Sequence, residues 1–162
     1  AGAWSARLLE PLGYNLPLEA ERGYHLILQN PGITVNNSIM DADAKFVASS
    51  MSAGVRCAGT AEFAGLDALP DYRRSQIFVR LAERLFPNIN TIDTIEWMGS
   101  RPSFPDSLPC LGEVPGKKGL FCAFGHSHYG FGMAPNTGRV VASIVTGEPV
   151  NIDLKPYQIG RF

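Results

Sequence analysis

Trp4, Leu8 and Leu12 recur at helical spacing and Gly13 follows them, so the apolar pattern opens on a short helix over Trp4 to Leu12 that the glycine stops. The run from Arg22 to Leu28 is rich in strand formers and ends in the turn residues Asn30-Pro31-Gly32. Lys45 to Met51 and Val55 to Phe63 read as two further strands across Ser52-Ala53-Gly54, the signature of an antiparallel meander. After Pro70-Asp71, the positions Phe78, Leu81, Ala82, Leu85 and Phe86 keep the spacing of an amphipathic helix, halted at Pro87. Thr91 to Met98 predicts a strand partly covered on both faces, which delivers Arg101 from its end. Pro102, Pro105, Pro109 and Pro115, with Gly112, Gly116 and Gly119, predict a long irregular loop, a length usually kept for function. Leu120 to Phe124 then predicts a short buried strand, and Pro135 to Thr146 a helix closed by Gly147 and Pro149.

The strands come in a run rather than alternating with helices, which predicts an α+β fold, an antiparallel sheet with flanking helices. A chain of 162 residues with 45% apolar content suffices for one core. Lys and Arg number 14 against 15 Asp and Glu, so no basic field exists to hold nucleic acid by counterion release. The strongest apolar stretches, Leu120 to Phe124 and Val140 to Val145, fall far short of the roughly 20 residues that span a bilayer. Cys57, Cys110 and Cys122 make an odd count with no Cys-x-x-Cys pair, which fits a reducing, cytoplasmic setting. The opening Ala1-Gly2-Ala3-Trp4 has no methionine and no secretion signal, and reads as a piece of a longer protein.

Arg101 precedes a proline at a strand end, where a planar, permanently charged guanidinium can grip a carboxylate with two parallel bonds; the alternative is a structural ion pair. The glycine-rich segment Gly125-His126-Ser127-His128-Tyr129-Gly130 leads to a helix start whose unpaired N–H groups attract negative charge. Gly130-Phe131-Gly132-Met133-Ala134-Pro135 is not a dinucleotide fingerprint, because Pro135 stands at the third glycine position and the acidic residues at about the right distance, Glu148 and Asp153, lie beyond the helix. His126 and His128 either face a ligand or bond the loop backbone, and no third or fourth ligand lies at a spacing diagnostic of a metal site. Tyr24 and His25 lie in a strand, where core packing competes with substrate contact. Ser127 lacks the Gly-x-Ser-x-Gly frame of a hydrolase, and no phosphate-binding Gly-x4-Gly-Lys-Ser/Thr loop is present.

The motifs Gly2-Ala3-Trp4-Ser5, Glu19-Ala20-Glu21-Arg22-Gly23-Tyr24-His25, Gly59-Thr60-Ala61-Glu62-Phe63 and Trp97-Met98-Gly99-Ser100-Arg101-Pro102 occur in order. Pro105-Asp106-Ser107-Leu108-Pro109, the His126 segment, Ala134-Pro135-Asn136-Thr137-Gly138 and Arg161-Phe162 follow. Over its whole length the chain resembles the C-terminal part of the FAD-dependent D-amino acid dehydrogenase small-subunit family, within the larger D-amino acid oxidase and glycine oxidase group. It departs from that pattern at Ser100, where a bulky apolar residue is common, and at Ser127, where glycine is frequent.

The resemblance implies that residues 1–13 form the edge of an FAD-binding domain, 14–119 a substrate-binding domain and 120–162 a return to the FAD-binding domain. It implies non-covalent FAD, with Gly2, Ala3, Trp4, Gly99, Gly125, His126, Ser127, Tyr129, Gly130, Phe131, Gly132, Met133 and Thr137 toward the cofactor. Arg101 would hold the carboxylate of a small amino-acid substrate, with His128 and Tyr24 beside it. The implied reaction is hydride transfer from the substrate Cα to flavin, giving an imino acid that hydrolyses to a 2-oxo acid and ammonia. The family's N-terminal Gly-x-Gly-x-x-Gly part would be the missing partner, and the surface it leaves favours self-association. Peripheral contact with the inner face of a bacterial plasma membrane, for electron transfer, stays open. So do two alternatives, a non-catalytic carboxylate-binding or assembly module and an oxidase of glycine, sarcosine or proline.

Overall fold

Strand β1, Glu19–Leu28, begins three residues earlier than its apolar run predicts, at a pair of charges, Glu21 and Arg22, that are both buried. Adjacent strand residues point to opposite faces, so each of these charges needs its own partner. The computed structural model describes all 162 residues and divides into two units, Arg22–Gly99 and Ala1–Glu21 with Ser100–Phe162. β1 and β5 (Thr94–Ser103) each have residues in both units.

In the unit Arg22–Gly99, β2 (Ile39–Asp41), β3 (Phe46–Met51) and β4 (Gly54–Phe63) form the expected antiparallel meander, with Ile39 opposite Ala48 and Val47 opposite Ala58. The five-stranded sheet runs β2-β3-β4-β1-β5, which leaves β5 at an edge. Helix α1 (Arg73–Leu85) packs on β4 through Phe78 and Ala82, and the Phe78 ring lies 6.1 Å from that of Phe46. Leu26, Leu28, Val55 and Cys57 complete this core, and burial pushes the Cys57 thiol up to about 11. Gly99 lies under the Trp97 indole, where an added Cβ would come within 2.1 Å of the ring, and Trp97 stacks on His25 at 4.9 Å.

The other unit holds a helical opening: a 3-10 turn at Gly2–Trp4, an α-helical segment α2 at Ser5–Leu9 and a 3-10 turn at Glu10–Leu12. The predicted helix is therefore tightened at both ends, and Gly13 stops it in the left-handed conformation, φ 93°. A hairpin of β6 (Cys110–Glu113) and β7 (Phe121–Phe124) pairs Cys110 with Phe124, and α3 (Gly130–Thr146) packs on it. Leu9, Phe104, Val114, Phe124 and Ile159 form the second core. No helix is long and apolar enough to cross a membrane. The three cysteines are free and buried.

The α+β fold is as expected, and three details differ. Arg101 lies inside β5 rather than beyond its end, because Pro102, which lacks an N–H, is tolerated on an edge strand. The loop predicted over Pro102 to Gly119 contains the last residues of β5 and all of β6, a strand held by pairing with β7 and not by its own composition. Helix α3 starts at Gly130 and carries Pro135 inside it rather than at its first position. The bond Pro135 cannot make is an N–H to the carbonyl of Phe131, a residue in the exposed first turn.

Candidate active site

β5 and the segment after β7 approach each other within the unit Ala1–Glu21 with Ser100–Phe162, because the Ser127 N–H donates to the Pro102 carbonyl at 3.0 Å. Ser127 itself is in the left-handed region, φ 48°, a conformation unusual for serine. Gly125 before it, φ +86°, lets the Phe104 ring lie beneath the backbone. The segment thereby turns His128 back toward Arg101, and the two meet on one buried carboxylate, that of Glu21.

Glu21 Oε1 lies 3.3 Å from Arg101 Nη1 and 2.5 Å from His128 Nε2, and Ser103 Oγ donates to Oε2 at 3.1 Å. The Glu21 side chain is 10% exposed, against 33% for Arg101 and 53% for His128. A buried acid thus stands behind the half-buried Arg101 and the exposed His128. Arg101 is in the ion pair that the structural alternative foresaw, yet its guanidinium remains open to solvent with donors to spare.

His126 takes the other side of the segment, with Nε2 3.0 Å from Thr137 Oγ1 on α3. Burial pushes this imidazole below its ordinary value, so it meets Thr137 as a neutral ring at pH 7. Gly132, Met133 and Thr137 line a small recess with Leu111 and Tyr157. At the opening of the chain, Ala3 is buried, Trp4 is half exposed, and Ala1, Ser5 and Leu8 line an apolar groove with Phe121–Phe124.

The residues at the start of α3 fit the edge of a flavin ring. No side chain caps the helix, so its first N–H groups are free of side-chain acceptors. Phe131, 98% exposed, and the exposed Tyr129 flank that start, and the buried Ser127 Oγ has no hydrogen-bond partner. The adenine end of a dinucleotide finds no Gly-x-Gly-x-x-Gly among the 162 residues.

Tyr24 and Gly99 belong to the other unit. The Tyr24 ring is buried; its hydroxyl donates to Glu62 Oε2 at 2.6 Å and accepts the Asp71 N–H at 3.0 Å. Those bonds hold it within that unit's own polar network. The sequence reading missed Glu21 and Ser103 as site residues. The signal was the charged pair Glu21-Arg22 inside a strand otherwise built for a core.

The C-terminal residues anchor the segment from below. Arg161 pairs with Asp106, Nε to Oδ2 at 2.7 Å, donates to the Leu108 carbonyl at 2.6 Å and lies over the Phe104 ring at 5.1 Å. Phe162 stacks on Phe104 at 4.9 Å. The Arg161 hydrogen bonds hold the Asp106 carboxyl below its usual range and fasten the turn at Phe104–Ser107 to the C-terminal residues. Because Phe104 supports Gly125, a Cβ at 125 would come within 2.4 Å of its ring. Gly125→Ala is expected to cost about 1 to 3 kcal/mol from positive φ and overpacking. Gly138→Ala on α3, where an added Cβ meets nothing within 4 Å, is the control and should not destabilise in parallel thermal melts.

Comparison with known proteins gives this geometry a context. The sequence profile described as FAD dependent oxidoreductase (DAO) matches residues 1–144. A D-amino-acid oxidase of Bradyrhizobium diazoefficiens is 41% identical over 168 residues, covering 100% of this chain and 39% of that protein. A D-amino acid dehydrogenase of Paramagnetospirillum magneticum is 38% identical over 165 residues, with the same coverage of 100% and 39%. Among solved structures, a glycine oxidase from Geobacillus kaustophilus aligns with a TM-score of 0.82 at 25% identity, covering 100% of this chain and 44% of that one. The chain thus spans about 39% of the length of the curated relatives it matches.

Proposed function

This chain belongs to the FAD dependent oxidoreductase (DAO) family, and we propose that it supplies the C-terminal, substrate-gripping part of an enzyme that oxidatively deaminates D-amino acids to 2-oxo acids and ammonia. The observation that carries this reading is the meeting of Arg101 and His128 on Glu21, with the start of α3 in the same unit.

Arg101 binds the substrate carboxylate through the guanidinium donors that Glu21 does not occupy, and so orients Cα–H. His128 stands beside it, its exposed ring against the same Glu21 oxygen. Gly130, Phe131 and Gly132, with Tyr129 and Ser127, hold the flavin non-covalently, and the N–H groups of α3 favour negative charge at its edge. FAD, when bound, supplies the hydride acceptor. The remaining contacts to FAD, and the Gly-x-Gly-x-x-Gly segment, come from the rest of the complete protein. Glycine is the second substrate to try, because the aligned solved structure is a glycine oxidase.

Anaerobic mixing of the full-length, FAD-loaded protein with D-alanine, L-alanine, glycine and proline tests the reading. D-alanine should bleach the flavin fastest and yield pyruvate and ammonia. A flavin that no member of the panel reduces refutes it.

A further inference from the structure

Glu21 is unusual company for a carboxylate-binding arginine. An anion that docks on Arg101 alone arrives beside a negative charge already 3.3 Å from the guanidinium, shielded from solvent on its own side. The positive charge of Arg101 is thereby largely answered before any ligand binds, and a bare carboxylate gains little from it. A ligand whose carboxylate is accompanied by a cation one carbon away meets complementary charge twice: guanidinium for the carboxylate, Glu21 for the ammonium. Ser103 Oγ donates to Oε2 and His128 Nε2 lies against Oε1, so with Arg101 they take three of the roughly four acceptor positions of this carboxylate and leave one for an ammonium.

We propose that Glu21 is a specificity-determining residue, whose buried carboxylate beside Arg101 makes the site select α-ammonium carboxylates over carboxylates with an uncharged α-substituent. The inference rests on the reading of an amino-acid site given above and adds a consequence for turnover. Oxidative deamination removes the ammonium, so the 2-oxo acid leaves a site that has become electrostatically mismatched to it. Discrimination of this kind combines attraction for one ligand with a like-charge penalty against the other.

The test uses two non-reacting ligands of nearly the same shape, 2-aminoisobutyrate, which has no Cα–H to lose, and pivalate, in which a methyl group replaces the ammonium. Calorimetric titration of the full-length, FAD-loaded protein should give at least tenfold tighter binding of 2-aminoisobutyrate. Glu21→Gln should reverse the two effects, weakening 2-aminoisobutyrate while tightening pivalate, and Glu21→Asp should retain the wild-type order. A residue that merely held the fold would weaken both ligands together, and that outcome overturns the proposal. Equal affinities in the wild-type protein overturn it without any variant, so a Glu21→Gln protein that fails to fold leaves the test intact. Because neither ligand turns over, a protein that prefers 2-aminoisobutyrate yet oxidises no amino acid would refute the catalytic reading and leave this one standing.

Discussion

Replacing Arg101 with alanine in the complete flavoenzyme is expected to lower kcat/KM for amino acids by roughly 30- to 1000-fold, the equivalent of about 2 to 4 kcal/mol of lost charge-assisted contact. Most of the loss should appear in KM, because in the proposed role the guanidinium grips a group that does not change during the reaction. Some should appear in kcat, because a substrate held by one end only presents Cα–H poorly. Arg101→Lys should recover part of the affinity and little of the orientation, since an ammonium lacks the planar fork. The variant also leaves Glu21 with His128 and Ser103 but without the guanidinium. Arg101→Ala should therefore bind 2-oxo acids even more poorly than it binds amino acids. Steady-state kinetics indistinguishable from wild type would remove Arg101 from the site.

The elements that could be read along the chain are those whose stability is local. The meander and α1 carry alternation, turn residues and helical spacing in contiguous stretches, and each is found within a few residues of its predicted bounds. β6 could not be read, because four residues among prolines and glycines become a strand only when Phe121–Phe124 pair with them. The start of α3 differs from the expectation because proline is favoured at a first helical position, whereas here the helix begins at Gly130 and accepts Pro135 where its first turn faces solvent. The site divides in the same way. Arg101 and the His126–His128 segment advertise themselves by composition. Glu21 does not, since its meaning depends on residues 80 and more positions away that only the folded chain assembles.

The same strand hides the charge expected to matter most for stability. Arg22 is 1% exposed, with its Nε 3.3 Å from Glu62 Oε2 and its Nη2 donating to the Leu69 carbonyl at 2.9 Å. Glu62 also accepts from Tyr24 at 2.6 Å and from Arg74 at 2.9 Å, so one carboxylate answers two donors and the buried Arg22 cation. Glu62→Ala should destabilise the unit Arg22–Gly99 by about 3 kcal/mol in urea unfolding, because it leaves a buried cation without its counter-charge. Substituting both partners, Arg22→Leu with Glu62→Leu, should cost less than Glu62→Ala alone, since no uncompensated charge remains. An additive double variant would show the pair to be independent and the network unimportant.

The pH dependence follows from the same carboxylate. The Tyr24 hydrogen bond, aided by Arg22 and Arg74, holds the Glu62 carboxyl below its ordinary range in the folded protein. Its contribution is therefore complete above the unfolded value of about 4.3 and is lost as pH falls through that value toward the folded one. Glu62→Gln should flatten the acid limb of the stability curve below about pH 4.3, leaving the slope that belongs to Asp41, Asp71 and Asp106, whose carboxyls are also held low by arginines and backbone N–H groups. Urea midpoints measured from pH 7 to pH 3 separate the two slopes, and an acid limb unchanged by the substitution would show that Glu62 titrates alike in the folded and unfolded chain.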